Sequence, residues 1–316
     1  SAFEAHDPRF HSITGANPAL TLLLSSATNT PFAHEASVYI AGTNTLYLTS
    51  NILTDSATNT SSIQISKIAL DNHPLTAEVL HLTPAIPNPN GATAHDNGIL
   101  FCGQGTATAP AGLYQLTLDP PNNNTVTPVL TSFYSRPFNS PNDVAIHPAD
   151  DSIWFTDPDY GYIQGLRPAP QLPNQVYRFE PSTGAVRVVA DGFDKPNGIA
   201  FAPDGLTLYV TDTGAARGDG TVDLARVATI YAFDIRARDG EPFLTNRRVF
   251  AMADAGVPDG IKVDADGNVY AGCGDGVNVW SAGGVLLGKI LVEGGVANFG
   301  FAGAGRLFLM GETRLW

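Results

Sequence analysis

Short apolar segments that end in a polar or small residue recur along the chain. Each is rich in aliphatic, β-branched and aromatic residues, which favour strands, and each follows a turn that contains Gly, Asp or Asn. The six copies are Leu46–Ser50, Ile99–Gly103, Ile153–Asp157, Leu208–Asp212, Val269–Cys273 and Leu307–Gly311. Their first residues are 53, 54, 55, 61 and 38 positions apart, taken in order. This spacing leaves room for several strands in each repeat.

The copy around residues 195–212 shows the repeating unit most clearly. Ile199–Ala202 is an apolar strand, Pro203-Asp204-Gly205 supplies a turn, and Leu206–Val210 is the return strand. A period of this length with several strands per repeat is typical of a propeller blade. The sequence therefore predicts an all-β, six-bladed β-propeller with a central channel. An unrelated β-sandwich with common turns is the alternative, but it does not explain the near-equal spacing.

The two ends of the chain complement each other. The last return strand is followed by only five residues, so the sixth blade has room for about three strands of its own. An apolar strand candidate lies near the start of the chain, at Leu20–Leu24. We expect an N-terminal strand at about residues 19–25 to complete the last blade and close the ring, which removes exposed sheet edges. Residues 1–316 are then predicted to form a single propeller domain.

Composition narrows the choice of partners. The net charge is −13 and the pI is near 4.7, which argues against nucleic acid or an anionic membrane as a partner. No apolar run reaches the length that spans a bilayer. Cys102 and Cys273 fall in return strands of distant blades, so we expect both to be free thiols. The oligomeric state, monomer or dimer, stays open.

The location of the protein in the cell also stays open. Residues 1–18 lack the charged and then apolar pattern of a signal peptide. Two Asn-x-Ser/Thr acceptors, at Asn59 and Asn123, are typical of secreted proteins but also arise by chance. Both a secreted and a cytoplasmic location are therefore compatible with the sequence.

The register of the blades locates the mouth of the channel. The start of each first strand lies on the same face as the loop that follows the return strand. Three such loops are 51–62, 158–174 and 213–227, and two of them are long. Long loops on a rigid scaffold usually carry function. They bring to this face the polar and aromatic side chains Tyr160, Tyr162, Arg167, Arg217 and Arg226.

Counting back 10 or 11 residues from each return strand gives the residue that opens the first strand. Allowing for shorter turns in some blades, these residues are Glu35, Asn90, Asn142, Asn197, Asp259 and Asn298. All six carry carboxylate or amide oxygens, and all should converge on the channel. Such hard oxygen donors suit Ca²⁺, Mg²⁺ or Mn²⁺. The alternative is that these Asn and Asp residues only start turns.

The register also separates two identical tripeptides. Pro203-Asp204-Gly205 is the hairpin turn of blade four, whereas Pro258-Asp259-Gly260 opens the first strand of blade five. We therefore expect Asp204 to be a surface turn residue and Asp259 to be a channel residue.

Several motifs occur in the order seen in a known family. Ser140-Pro-Asn-Asp143, Lys195-Pro-Asn-Gly198, Pro258-Asp-Gly260 and the early Glu35 resemble the senescence-marker-protein/gluconolactonase family of six-bladed propellers. His34-Glu35-Ala36 and Phe155-Thr-Asp-Pro158 are similar to its fungal lactonohydrolase branch.

The resemblance implies a metal-dependent lactone hydrolase. It implies one divalent ion on the channel axis, most often Ca²⁺, with Mg²⁺, Mn²⁺ or Zn²⁺ as alternatives. Glu35, Asn197 and Asp259 match direct ligands, and Asn142 matches a position that binds metal or substrate. Ser140 stands where members acting on sugar lactones often have Arg, which leaves room for a different or more apolar lactone.

A hydrolytic mechanism needs a group that accepts the proton of the attacking water. Asp259, His34 and His95 are the candidate catalytic residues, and Asn142, Asn90 and Tyr160 are the candidate substrate-binding residues. The chain has no Gly-x-Ser-x-Gly elbow, which disfavours a covalent serine mechanism. Two other functions stay open: a paraoxonase-like, metal-dependent phosphotriesterase, and a non-catalytic ligand-binding propeller.

Overall fold

Each sequence repeat folds into one antiparallel sheet whose strands are joined in chain order. The computed structural model describes residues 2–119, 124–303 and 305–316, so the glycosylation acceptor Asn123 lies outside the described residues. The first strands of successive blades contact each other from blade one to blade six, and blade six returns to blade one. The prediction of a six-bladed all-β propeller is therefore confirmed.

The strands of each blade run from the channel outwards. Blade one contains Glu35–Ile40, Thr45–Thr49, Ile65–Ala69 and Glu78–Val79. Blade two contains Pro89–His95, Gly98–Gly103, Gly112–Thr117 and Thr125–Leu130. Blade three contains Val144–Ile146, Ile153–Asp157, Gln175–Glu180 and Ala185–Ala190. Blade four contains Pro196–Phe201, Thr207–Asp212, Thr229–Arg238 and Glu241–Met252.

The last two blades also recruit strands from the start of the chain. Blade five contains Ile261–Val263, Val269–Cys273, Gly276–Trp280, Leu286–Leu291 and Phe3–Ala5. Blade six contains Asn298–Ala302, Arg306–Gly311, Arg314–Leu315 and Leu24–Ser25. The remaining elements are two small hairpins, two short α-helices and a 3₁₀ turn: Leu53–Asp55 with Thr60–Ser62, Ser132–Phe133 with Arg136–Pro137, Arg9–Thr14, Tyr160–Ile163 and Ala41–Thr43.

The N-terminal segment closes the ring, as the sequence predicts. Leu24–Ser25 pairs antiparallel with Arg314–Leu315 at the outer edge of blade six, although this strand is shorter than expected. The sequence did not predict that Phe3–Ala5 adds a fifth strand to blade five. Between these two strands, Phe10 is buried in the apolar core that blades five and six share. The first 25 residues therefore hold two neighbouring blades together.

The hydrophobic core lies between successive sheets. The apolar residues of the return strands are almost completely buried, because both faces of each sheet pack against neighbouring blades. Cys102 and Cys273 are buried in this core and unpaired, as predicted. None of the helices formed by the described residues has the length and apolarity needed to cross a membrane.

Candidate active site

One cavity lies where the first strands begin and the return strands end. Its volume is about 180 Å³, below the range of about 300–1,000 Å³ for pockets that take drug-sized ligands. The lining residues are His34, Glu35, Asn51, Asn90, Gln104, Asn142, Tyr160, Gln164, Asn197, Ala216, Gly218 and Asp259. The structure thus brings together all the candidate catalytic, substrate-binding and metal-ligating residues except His95.

Irregular pairing gives the ring residues their positions. The register between the first strand and the return strand shifts between Glu35 and Val38 in blade one, and between Pro196 and Ile199 in blade four. Such bulges re-aim side chains and are common next to active sites. In blade one the bulge holds Ala36 and Ser37 at φ 73° and 58°, a left-handed conformation that is uncommon for residues other than Gly.

Four ring residues present buried side-chain oxygens that accept no hydrogen bond from the described residues. They are Oδ1 of Asn90, Asn142, Asn197 and Asp259. A buried polar atom without a partner is costly. Several such atoms around one cavity therefore indicate that a ligand, an ion or water completes the site.

Glu35, at the start of the first strand of blade one, contributes a second carboxylate to the cavity. Its Oε2 accepts a hydrogen bond of 2.6 Å from Nδ2 of Asn298, and Oδ1 of Asn298 accepts the backbone N–H of Phe299. Asn298 therefore supports Glu35 and does not offer a free oxygen to the ring. Burial, and then the repulsion between the Glu35 and Asp259 carboxylates, raises the pKa of Glu35; burial also raises the pKa of Asp259.

The donor set of the cavity fits a hard divalent cation. Two carboxylates and several amide oxygens lie there, and positive charge would relieve the repulsion between the carboxylates. No group of three or more His, Cys, Asp or Glu side chains with metal-site spacing occurs among the described residues. A cation at this place would therefore depend on the Asn oxygens as much as on the acidic ones.

The two Pro-Asp-Gly tripeptides are placed as predicted. Asp259 lines the cavity. Asp204 is exposed in the hairpin turn of blade four, where its Oδ1 accepts the backbone N–H of Leu206. The register of the repeat, and not the local motif, distinguishes the two residues.

His34 reaches the cavity with a fixed orientation. Its Nδ1 lies 2.6 Å from Oε1 of Glu312, and Nδ2 of Asn51 donates to the other oxygen of Glu312 at 3.1 Å. Burial lowers the pKa of His34, but the carboxylates of Glu312, Glu35 and Asp259 outweigh burial and raise it to about 9. The Glu312 contact occupies Nδ1 and leaves Nε2 as the ring nitrogen available for chemistry.

Tyr160 forms part of the wall, and its hydroxyl group ties two mouth loops together. The hydroxyl lies 2.6 Å from Oγ1 of Thr213 and donates to the carbonyl of Ala216 at 3.2 Å. Lys195 pairs with Asp159 beside it. Because these contacts occupy the hydroxyl, Tyr160 offers its aromatic ring to the cavity.

The other side chains predicted at the mouth bond to neighbouring loops or are exposed to solvent. Arg167 donates to the backbone carbonyls of Thr106, Ala109 and Phe138, and Arg226 pairs with Asp194. Tyr162 is half exposed. Neither these three residues nor Arg217 lines the cavity.

His95 is not brought to the cavity. It lies at the far end of Pro89–His95, where its Nδ1 contacts Oε1 of Gln115 at 2.9 Å. His95 comes five positions after Asn90 along the extended strand, a distance of about 17 Å. His95 therefore lies outside the candidate site, beside the turn that joins this strand to the return strand.

Sequence reasoning missed Gln104, Gln164 and Asn51 as lining residues. Gln104 and Asn51 come one or two residues after return strands, and Gln164 follows the short helix Tyr160–Ile163. The rule that the loops after return strands lie at the mouth covers all three, because Asn51 and Gln164 fall in loops 51–62 and 158–174 and Gln104 directly follows a return strand. Oε1 of Gln104 and of Gln164 is buried and has no partner among the described residues.

A larger cavity of about 470 Å³ lies beneath the N-terminal segment. Its walls are mainly apolar and include Leu20, Leu23, Tyr270, Phe301 and Leu309. It contains none of the ring residues, so its size does not make it the better candidate for chemistry.

Comparisons with known proteins agree with the fold and the motifs. Residues 33–310 match the family model described as the SMP-30/Gluconolactonase/LRE-like region. The lactonohydrolase oryL of Aspergillus oryzae is 34% identical over 316 residues, which cover 93% of this chain and 68% of that protein. The gluconolactonase of Zymomonas mobilis is 29% identical over 167 residues, covering 51% of this chain and 44% of that protein.

A solved structure is similar along almost the whole chain. It is a gluconolactonase from Xanthomonas campestris, with a TM-score of 0.75 and 27% identity over 99% of this chain and 93% of that one. The motifs, the fold and the family match lead to the same assignment. The chain belongs to the SMP-30/gluconolactonase/LRE-like family.

Proposed function

We propose that this protein hydrolyses lactones with the help of one divalent cation, for which Ca²⁺ is the first candidate. The proposed ligands are Glu35, Asn142, Asn197 and Asp259. One observation carries the proposal: buried side-chain oxygens on separate blades surround one cavity and have no hydrogen-bond partner among the described residues. The related lactonohydrolase and gluconolactonases support the lactone as the substrate class.

The chemistry of the site follows from its charges. A divalent cation, when bound, supplies a Lewis acid for the carbonyl of the cyclic ester and for the negative charge that develops on it. The carboxylates of Glu35 and Asp259 balance the charge of such an ion. The amide oxygens of Asn142 and Asn197 complete the set without adding charge.

The protein must also accept one proton. A base takes a proton from the water as it adds to the carbonyl carbon, the bond between that carbon and the ring oxygen breaks, and the base returns the proton to the ring oxygen, so that a hydroxy acid forms. Asp259 and His34 both line the cavity and are the two candidate bases. His34 can accept a proton at Nε2 only in its neutral form, and a bound cation would favour that form by offsetting the carboxylates that raise the pKa of His34. Substrate would be oriented by the Asn90 amide and the ring of Tyr160, with Asn142 shared between cation and substrate.

The walls of the cavity favour a small and polar lactone over an apolar one. The buried oxygens of Gln104 and Gln164 need hydrogen-bond donors, and an apolar group placed against them would leave them unpaired at a cost of about 1–3 kcal/mol each. Hydroxyl groups on the lactone are suitable donors. The sequence-based expectation of a more apolar lactone therefore finds no support in these walls.

Chelation and site variants test this proposal together. The purified protein is stripped with a chelator, resupplied with Ca²⁺, Mg²⁺, Mn²⁺ or Zn²⁺, and assayed on a panel of lactones and an aryl phosphotriester. We expect chelation to remove lactone hydrolysis and one of the ions to restore it. Asp259→Ala should lose activity, whereas Asp204→Ala, in the identical tripeptide, should keep it.

Three results would contradict the proposal. Hydrolysis that survives complete chelation would rule out the role of the cation. Hydrolysis of the phosphotriester alone would assign the same ring to a different reaction, and a protein inactive on every compound but able to bind a ligand would be a binding propeller.

A further inference from the structure

The threonines at the ends of the return strands connect the ring residues of neighbouring blades. In blade three, Oγ1 of Thr156 accepts the backbone N–H of Asp143 at 3.1 Å and donates to the backbone carbonyl of Asn197 at 2.6 Å. Asp143 directly follows the ring residue Asn142. One hydroxyl therefore links the start of blade three to the ring residue of blade four.

Blade four repeats this arrangement. Oγ1 of Thr211 accepts the backbone N–H of Gly198 at 2.7 Å and donates to the backbone carbonyl of Asp259 at 2.8 Å. Gly198 directly follows Asn197. Asn142, Asn197 and Asp259 are thus connected in series, with one hydroxyl at each blade junction.

Related contacts hold the other ring residues with free oxygens. Oγ1 of Thr49 donates to the backbone carbonyl of Asn90 at 3.2 Å. In blade two, Cys102 occupies the threonine position, and the carbonyl of Asn142 instead accepts the backbone N–H of Gly91 at 2.8 Å. Each of these backbone positions is therefore fixed from the preceding blade, while the side-chain oxygen remains free for a ligand.

The three threonines are fully buried, so water does not compete for their hydroxyl groups. The hydroxyl groups of Thr156 and Thr211 each accept one hydrogen bond from their own blade and donate one to the next blade. A buried hydrogen bond restricts the motion of its partners more than an exposed one does. Functional side chains need such restraint from the residues that support them.

We propose that Thr156 and Thr211 are positioning residues, which set the spacing of the oxygens of Asn142, Asn197 and Asp259 for cation binding. This inference rests on the proposed function. The hydroxyl group is the essential part, since the rest of the side chain only packs between the blades. Removing the hydroxyl should therefore weaken cation binding even when the blade remains folded.

The test compares Thr211→Val, which removes the hydroxyl, with Thr211→Ser, which keeps it. Thr45→Val is the control, because Thr45 is also buried in a return strand but its hydroxyl donates only to the nearby carbonyl of Thr43. The measurements are the dissociation constant of Ca²⁺ alone, by calorimetry well below the melting temperature, and the melting temperature in chelator. Thr156→Val and Thr156→Ser are measured in the same way.

All these variants should lower the melting temperature, since each disturbs a buried side chain. We expect Thr211→Val and Thr156→Val to weaken Ca²⁺ binding by about tenfold or more, while the serine variants and Thr45→Val stay within about threefold of the wild type. Wild-type affinity in both valine variants would overturn the inference and leave the proposed function standing. A wild-type protein that binds no divalent ion would instead overturn the proposed function and this inference together.

Discussion

Oε1 of Glu312 lies 2.6 Å from Nδ1 of His34, although 278 positions of sequence separate the two residues. Glu312 follows the last return strand, and His34 precedes the first strand of blade one. The backbone carbonyl of Glu312 also accepts the N–H of Ala33. The pair therefore lies at the junction where the ring closes, and it fixes the imidazole at the edge of the cavity.

Glu312→Gln should disturb this orientation. The amide retains one acceptor oxygen, but two donors, from His34 and Asn51, now face the carboxylate, so one of these contacts is lost. We expect kcat/KM for a lactone to fall by about tenfold, which corresponds to about 1.4 kcal/mol. Steady-state kinetics on the wild type and the variant measure the change.

Glu293→Gln is the matched control, because the Glu293 side chain is 92% exposed on a loop near the same blade. It should leave kcat/KM unchanged. Equal kinetics for Glu312→Gln and the wild type would show that the orientation of His34 does not matter for the reaction.

Gly198, which follows the ring residue Asn197, packs so closely against blade five that no side chain fits there. A Cβ on Gly198 would meet the backbone carbonyl of Asp259. We expect Gly198→Ala to force blades four and five apart at the ring, to destabilise the protein by about 1–3 kcal/mol and to reduce lactone hydrolysis. Denaturant unfolding and kinetics measure the two effects.

Gly42→Ala provides the comparison. A Cβ on Gly42 would have nothing within 4 Å, so this variant should match the wild type in both measurements. If Gly198→Ala were equally silent, the blades would not be as tightly fitted at the ring as the structure shows.

Asp157 makes stability depend on pH. Burial raises its pKa to about 7, against the opposing effect of the N–H groups of Asn139 and Ser140 that it accepts. The folded state then holds a proton that the unfolded state releases near pH 4. The stability from this group is present below about pH 4 and is lost as the pH rises through 7.

Urea unfolding in chelator between pH 4 and 7.5 tests this dependence. Asp157→Asn should remove up to about 1.4 kcal/mol per pH unit from the slope of the unfolding free energy against pH. The variant should also be less stable overall, because its amide offers one acceptor oxygen to two donors. Asp204→Asn, at the exposed turn, should keep the slope. The same slope in Asp157→Asn as in the wild type would contradict the assignment.

Much of the architecture follows from the sequence because the repeats are regular. The return strands are buried on both faces, so their apolar pattern is strong and their spacing reveals the blades. The distinction between Asp204 and Asp259 also follows, since it depends only on position within the repeat. The strand Phe3–Ala5 cannot be recognised in this way, because it has only three residues and pairs with residues 288–290, near the other end of the chain.

The details of the site depend on contacts that no local pattern encodes. Glu312 and His34 meet only because the ring closes. Asn298 occupies a ring position in the sequence, yet it supports Glu35 through a hydrogen bond. His95 lies on the expected strand, but the direction and length of that strand carry it away from the cavity. These outcomes depend on how the blades pack, and not on the identity of neighbouring residues.

The most direct measurement is a crystal structure of the protein soaked in Mn²⁺, with anomalous scattering used to locate the ion. We expect one peak in the cavity, at about 2.0–2.6 Å from side-chain oxygens of Glu35, Asn142, Asn197 and Asp259. A fully soaked crystal that shows no peak among these oxygens, or shows them bonded only to water, would contradict the proposed cation site.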